Sequence, residues 1–586
     1  MKDIVVRIGG EGGEGVISCG ELLTTALARS AYEVFTFRTY PAEIKGGPAM
    51  FQVRSSDQPV LSQGSLADIL VTFNEEAFQL HGRTIRPDGL LLYDPSHYQP
   101  KGTFEAYGVP LEEITLSVTK SKLGKNVVAL GVIASVLGLS PELLDQLLKD
   151  RFGKKGEVVV GKNKDALRAG YTYVDQHPFK KKLPRFEAMK SSTQRIVMSG
   201  NEALSTGAIS AGCRYYGGYP ITPASDILEF MEKDLPKFGG AVVQTEDEIA
   251  AIASVVGASY AGKKAMTATA GPGLSLMVEV LGLATMSEIP CVIVDAQRGG
   301  PSTGLPTKME QGDLNLAVFG AHGDAPRIVL APGDVEECLY MIIHAFNLAE
   351  KYQTPVLFLT DQSLAHRTQT FLWPDFSQVP IVNRLVPSEN DLKEYKRFKS
   401  SPNGVSPMAI PGMEGGCYAA TGLEHSERGS PNFTPQVHAT MSAKRALKIH
   451  EASKEPGFTT RFGPKKAQIG IIGWGSTQGA IREGMELAAK DGVSVAQLQV
   501  KMVWPLPEAE ILEFIKSVDK VLVAELNYTG QFNQILRSKF LCPTISYTKC
   551  EGLPFYAEEI LAKIKAVAGG GEKPVSQTVG AAGRSL

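Results

Sequence analysis

Short apolar runs alternate with amphipathic stretches along most of the chain and divide it into three blocks, each with the alternation expected of βαβ units. In the first block, Ile4–Ile8 is a Val/Ile run that predicts a buried strand. The loop Gly9-Gly10-Glu11-Gly12-Gly13-Glu14-Gly15 and a helical period over Val16–Arg29 follow it. Met50–Val53, Ala67–Phe73 and Gly89–Tyr93 predict further strands, and Asn126–Leu137 and Pro141–Arg151 predict helices. Between about Asp175 and Arg195, Pro, a Lys run and Ser/Thr replace the periodicity, which predicts a linker after a first domain over 1–185.

The second block, 195–375, predicts helices at Glu202–Tyr215, Ala224–Leu235, Glu248–Ala261 and Leu274–Met286. Its strands are predicted at Ala241–Thr245, Ala265–Ala268, Pro290–Asp295 and Thr354–Thr360. Residues 376–465, rich in Pro, Gly, Ser and Asn, read as an irregular insertion, of the length that usually serves a function. The third block, 466–568, runs strand Ala467–Ile472, helix Gln478–Asp491, strand Ser494–Val500, helix Glu508–Ser517 and strand Lys520–Glu525. Residues 569–586 read as a flexible polar tail. The expected fold class is α/β in three domains, with mostly parallel sheets.

Charge and composition narrow the function classes. The 60 basic residues are scattered and balanced by 62 acidic ones, which excludes the electrostatic footprint of a nucleic-acid or anionic-membrane binder. The 60 glycines suit many tight strand-to-helix turns. Seven widely spaced cysteines without a C-x-x-C predict neither a disulfide framework nor a metal site on this chain. The start MKDIVVRIGG has no basic stretch followed by an apolar core, and no apolar run approaches a membrane span, so a cytoplasmic protein is expected.

Four loops carry candidate chemistry. Gly9–Gly15 lies between strand and helix, where backbone N–H groups hold phosphates, although glycines that let a helix pack close on a strand explain it equally. Arg38, Lys45 and Arg54 are placed either to add charge to such a site or to lie in solvent. In Tyr219-Pro220-Ile221-Thr222-Pro223, two prolines fix the backbone around Thr222 at a helix start. Glu246, Asp247 and Glu248 open a helix of small and apolar residues expected to be buried on all sides. Either the helix dipole accounts for the three carboxylates, or one of them points inward as a proton relay. Arg298, after a buried strand, is placed to grip a carboxylate or to pair with a neighbouring Asp.

Together these segments resemble the 2-oxoacid:ferredoxin oxidoreductases, specifically an α subunit with a γ-type domain fused ahead of it. The glycine loop, TYPAEIKGG and KNVVALG resemble the γ domain. YPITP, TEDEIAAIASVVGA, TATAGPGLSLM and QRGGPSTGLPT resemble the α portion, where the thiamine diphosphate pyrimidine binds. TGLEHSERG and the block from Ala467 resemble its later segments and a transketolase-like C-terminal domain. One departure is Glu14, where the γ loop commonly carries Gln.

The resemblance implies coenzyme A-dependent, reversible oxidative decarboxylation of a 2-oxo acid, with electrons leaving through a 4Fe–4S cluster to ferredoxin. It implies that Glu248 hydrogen-bonds the aminopyrimidine, with Tyr219, Pro220, Ile221 and Thr222 beside the cofactor. Thr222, Arg298 and Thr307 fall at family positions that line the 2-oxo acid pocket, and the γ domain, with Arg38 and Lys45 as candidate contacts, is the expected location of coenzyme A. No G-D-G segment and no cluster cysteines occur, so Mg²⁺, the pyrophosphate site and the 4Fe–4S cluster are expected on a β subunit, in an (αβ)2 heterotetramer. 2-Oxoglutarate is the expected substrate. The alternatives are another 2-oxo acid (2-oxoisovalerate, indolepyruvate, pyruvate), a non-catalytic nucleotide-binding subunit, and an NAD-linked dehydrogenase.

Overall fold

The structure, a computed structural model, describes residues 2–41, 46–102, 104–121, 123–180, 183–189 and 193–569. Lys45 and all of the predicted tail beyond Gly569 lie outside the described residues. The chain forms two compact units, Met1–Ser199 with His366–Pro374, and Gly200–Ala365 with Asp375–Leu586.

The first unit is built on one mixed sheet of eight strands. Glu105–Gly108, Ile85–Tyr93, Ala67–Thr72 and Asp3–Glu11 run parallel, and Pro48–Ser56, Glu33–Thr39, Thr368–Leu372 and Arg195–Ser199 continue antiparallel. Asp3–Glu11 lies mid-sheet, with Val6 opposite Ile69 on one side and Val53 on the other, so nearly all of it is buried. The helix Lys125–Leu137 is apolar over most of its circumference and correspondingly buried.

Two features depart from the pattern reading. The expected linker follows a 20-residue helix, Glu157–Gln176, and is pinned at Phe186, which is fully buried against Tyr32 with ring centroids 4.7 Å apart. The block expected at 195–375 also gives its first and last strands to this sheet: Met198 pairs with Gln369, and Gln369 with Phe35. Threonines stitch the new edge, since Val34 N–H donates to Thr370 Oγ1 at 3.0 Å and Thr368 N–H to Thr36 Oγ1 at 2.8 Å.

The second unit holds two sheets. In the larger, Met502–Trp504 is the antiparallel edge of an otherwise parallel row. The row continues Ile328–Leu330, Pro355–Asp361, Cys291–Gln297, Lys264–Thr269, Cys213–Gly218 and Ala241–Gln244. The smaller sheet orders Thr459–Phe462, Val495–Val500, Ala467–Trp474, Val518–Glu525 and Ile545–Thr548, parallel except at its first strand. The helix predicted over Glu202–Tyr215 ends at Ser210, because Gly212 takes φ +91° and turns the chain into the strand Cys213–Gly218.

Residues 376–465 are largely irregular but contain an 18-residue helix, Pro435–Ala452. Its buried face carries Lys444, Arg445 and Lys448, so no apolar period marks it. Lys444 and Lys448 both bond the fully buried Glu288, at 2.7 and 2.9 Å. Burial would raise the Glu288 carboxyl, but Lys448, Lys444 and Arg397 outweigh it and hold it well below the usual carboxylate range. Burial in turn brings Lys448 down to about 7. Among the described residues no helix is long and apolar enough to cross a membrane.

Glu288→Gln removes the charge that both buried ammonium groups rely on. We expect a loss of about 3–5 kcal/mol in chemical denaturation, and an unchanged midpoint would show that the pair is not needed to hold the helix.

Candidate functional site

Four neighbouring parallel strands end, at their carboxyl ends, in the four motifs singled out in the second block. Ala241–Gln244 leads to Glu246–Glu248, Cys213–Gly218 to Tyr219–Pro223, Lys264–Thr269 to Gly271-Pro272-Gly273, and Cys291–Gln297 to Arg298. The alternation of strands thus brings distant segments to one edge.

The three adjacent carboxylates separate by role. Glu246 is exposed. Asp247 caps the helix Glu248–Tyr260, accepting the Ala250 N–H at 2.8 Å. Glu248, the first helical residue, is 6 % exposed and accepts no hydrogen bond from the described residues. The helix is not buried on all sides as expected: Ile249, Ala250, Ala253 and Gly257 face outward, giving a small apolar face beside Glu248.

The turn Gly271-Pro272-Gly273 is shaped by two carboxylates. A Cβ on Gly273 would overlap Thr269 Oγ1 and lie 2.6 Å from Glu248 Oε1, and one on Gly271 would lie 2.7 Å from Asp313 Oδ2. Only glycine lets both acids sit against the first turn of the helix Gly271–Met286, which has no side-chain cap of its own.

Arg298 is 8 % exposed and donates from Nη1 to the Thr222 carbonyl at 2.8 Å, tying the YPITP turn to the Arg298 loop. That turn is held from behind, where buried Asn201 donates to the Pro223 carbonyl at 3.0 Å. The Arg298 Nε is buried without a partner. Burial lowers the guanidinium pKa, while Asp313 and Glu248 pull it back up. Thr307 is buried in the returning leg of the loop, which is closed by Gly299 N–H to the Lys308 carbonyl at 3.0 Å. The Tyr219 side chain is 40 % exposed and Pro220 is exposed, so these two face outward from the described residues.

Two acids that the sequence reading did not select complete the site. Asp295 lies within the strand Cys291–Gln297 after four apolar residues, is fully buried, and has no hydrogen-bond partner on either oxygen. Burial, with Asp313 alongside, pushes it well above the usual carboxylate range. Asp313 has a buried, unpartnered Oδ2, and burial together with Glu310 pushes it up to about 6 against the pull of Arg298. Arg298, Asp313 and Glu310 line a cleft of about 730 Å³ with the Gly299–Thr303 loop and Tyr528.

The first unit contains a separate cleft of about 710 Å³, lined by Gly13–Gly15, Ser18, Gly124–Val127, Lys155 and Lys162. The N-termini of the helices Val16–Arg29 and Lys125–Leu137 both open on it without side-chain caps. Glu14 is compensated there: it forms an ion pair with Lys125 and accepts the Glu11 N–H at 2.7 Å and the Asn74 amide at 3.2 Å. Arg38 does not line this cleft and pairs with Glu21 at 3.4 Å, and Lys45 is not described. Lys155 and Lys162 were not selected by the sequence reading, since their segment is far from the Gly9–Gly15 loop in the chain and they meet it only at the cleft. Lys125 opens the KNVVALG motif and was the available hint.

Gly273→Ala forces the Glu248 carboxylate and the buried Thr269 hydroxyl to move. We expect at least a hundredfold loss of turnover with a melting temperature within a few degrees of the parent. Full turnover would show that the position of Glu248 is not critical.

Comparison with known proteins places the chain in a family. Residues 5–173 match "Pyruvate ferredoxin/flavodoxin oxidoreductase", 206–444 match "Pyruvate flavodoxin/ferredoxin oxidoreductase, thiamine diP-bdg", and 467–542 match "Pyruvate:ferredoxin oxidoreductase core domain II". The chain is 32 % identical to subunit alpha of 2-oxoacid:ferredoxin oxidoreductase 2 of Aeropyrum pernix, over 98 % of this chain and 99 % of that one. It is 32 % identical to the 2-oxoglutarate oxidoreductase subunit KorA of Mycobacterium tuberculosis, over 97 % of this chain and 92 % of that one. A solved structure of 2-oxoglutarate:ferredoxin oxidoreductase from Magnetococcus marinus, with 2-oxoglutarate, coenzyme A and succinyl-CoA bound, matches at 44 % identity and a TM-score of 0.91. That match covers 96 % of this chain and 99 % of that one. The chain belongs to the thiamine diphosphate-binding 2-oxoacid:ferredoxin oxidoreductase family, among relatives named as alpha subunits.

Proposed function

We propose that this chain is the α subunit of a 2-oxoglutarate:ferredoxin oxidoreductase, active in the cytoplasm as an (αβ)2 heterotetramer. It would take part in the reversible conversion of 2-oxoglutarate and coenzyme A to succinyl-CoA and CO2, with the electrons passed to ferredoxin. The observation that carries the reading is the junction of Glu248, the Gly273 cradle and the Arg298–Thr222 bond at one sheet edge, in a chain 44 % identical to the Magnetococcus enzyme. A broader 2-oxo acid range is the second reading, favoured by the Aeropyrum relative's name.

A buried carboxylate without a donor, beside an outward face of Ile249, Ala250 and Ala253, fits the ring nitrogen and apolar edge of an aminopyrimidine. Glu248 would hold that nitrogen. Bound thiamine diphosphate supplies the carbanion-stabilising chemistry of the decarboxylation. Arg298, fixed by the Thr222 carbonyl, keeps its remaining donors for the 2-oxo acid carboxylate, with Thr222 and Thr307 beside the substrate. The β subunit would bring the pyrophosphate and Mg²⁺ site and the 4Fe–4S cluster. Among the described residues of this chain, no group of three or more His, Cys, Asp or Glu is placed to hold a metal ion. The cationic cleft of the first unit suits the phosphates of coenzyme A, through Lys125, Lys155 and Lys162.

Co-expression with the β subunit is expected to yield 2-oxoglutarate- and coenzyme A-dependent reduction of ferredoxin, and a substrate panel on the complex separates the two readings. Glu248→Gln should abolish turnover while the complex still assembles, and full activity in that variant would sink the assignment. Arg298→Ala should raise KM for the 2-oxo acid more than it lowers kcat. Charge reversal at Lys155 and Lys162 should raise KM for coenzyme A at least tenfold without changing that for the 2-oxo acid. An unchanged KM for coenzyme A would place that ligand elsewhere.

A further inference from the structure

The cleft around Arg298 holds more acid than base. Arg298 feels the charges of Glu248 and Asp313. Asp313 faces Asp295 on the strand Cys291–Gln297 and Glu310 on the loop, while Tyr528 and Cys550 line the same cleft from segments near the smaller sheet. Lys308 follows the loop but does not line the cleft, and its stem packs on Gly552. A substrate carboxylate docked on Arg298 would therefore add an anion where one guanidinium already meets several carboxylates.

We propose that Asp313 takes up a proton when the carboxylate of a 2-oxo acid docks on Arg298, so that binding adds no uncompensated negative charge to the cleft. The inference rests on the reading of Arg298 as the carboxylate anchor. Elimination identifies the acceptor. Asp295 is sealed, with two unpartnered oxygens, a setting that only the neutral acid tolerates, so its proton is already in place. Glu310 is also raised by burial, but the Gly300 N–H and the Cys550 thiol both bond its carboxylate and favour the ionised form, two donors that Asp313 lacks. Glu248 packs against Gly273 and does not line the cleft. Asp313 does line it, has no hydrogen-bond donor, and keeps one oxygen buried and bare. The step forms one O–H bond on the Asp313 carboxylate with a proton from solvent and moves no electrons.

The sign follows from linkage. A carboxylate whose ionised form opposes an anionic ligand makes binding weaken as pH rises, by up to about tenfold per unit above its own ionisation. The test uses the thiamine diphosphate-loaded αβ complex with N-oxalylglycine, a 2-oxoglutarate analogue whose carboxylates stay ionised throughout the range. Its Ki, together with KM for 2-oxoglutarate, is measured from pH 6.5 to 8.5. We expect both to climb in the parent, to be flat and lower at pH 8.5 in Asp313→Asn, and to climb as before in Asp295→Asn. Titration calorimetry of the parent complex in phosphate and in Tris should show uptake of about one proton per site, a readout that needs no variant to fold. Absence of proton uptake, or an unchanged slope in Asp313→Asn, would overturn the proposal. A complex inactive on every 2-oxo acid would instead count against the proposed function.

Discussion

Keeping one guanidinium charged where water is scarce is the constraint around which the second unit is arranged. Arg298 is nearly sealed, and a cation so placed needs acceptors close by. The Thr222 carbonyl is one, and reaching it requires the YPITP turn to stand at the neighbouring strand end. Glu248 and Asp313 supply the counter-charge, and both require the glycines at 271 and 273, because any side chain there would displace a carboxylate. The parallel order of the strands thus makes a single electrostatic object from four loops.

The smaller sheet contributes to that object through hydrogen bonds. Gln311 N–H donates to the Leu526 carbonyl at 2.6 Å, Leu526 N–H returns to Gln311 Oε1 at 3.0 Å, and the Gln531 amide holds the Gly312 carbonyl at 2.7 Å. Gln311 also reaches the Trp474 carbonyl at 3.0 Å. The residue that follows this clamp is Asp313. The C-terminal block, none of whose described acids acts on Arg298, therefore fixes where one stands. Asn527, whose amide donates to the Gln311 carbonyl at 3.1 Å, belongs to the same clamp, and substitutions at Asn527 and Gln531 should be understood through it.

Periodicity revealed many of the elements with one apolar face, although the helices Val335–Tyr352 and Ala557–Ala568 and the strand Glu33–Thr39 were passed over. The helix Val16–Arg29 and the strands around Ala67 and Cys291 have alternating or continuous apolar positions, and the structure has them within a few residues of their expected bounds. The pattern failed where burial is polar or the backbone turns sharply. Helix Pro435–Ala452 buries lysines on Glu288, and Gly212 divides what reads as one helix. In the candidate site, Arg298 and Glu248 were legible because their motifs are long. Asp313 was not, since an acid between Gly312 and Leu314 has no local signature, and its importance arises only when Gly271 and Arg298 come to it in space. The exposed face of the Glu248 helix was also illegible: small residues pack equally well inside a chain and outside it.

The sheet of the first unit is closed by a strand that is made late. Thr368–Leu372 bonds to both Glu33–Thr39 and Arg195–Ser199, yet it emerges from the ribosome only after the whole of Gly200–Ala365 has been synthesised. Until then Glu33–Thr39 is an open edge, a row of unpaired amides and carbonyls able to template intermolecular pairing. The fused chain therefore cannot mature strictly from its N-terminus, and its first unit stays incomplete through the translation of much of the second.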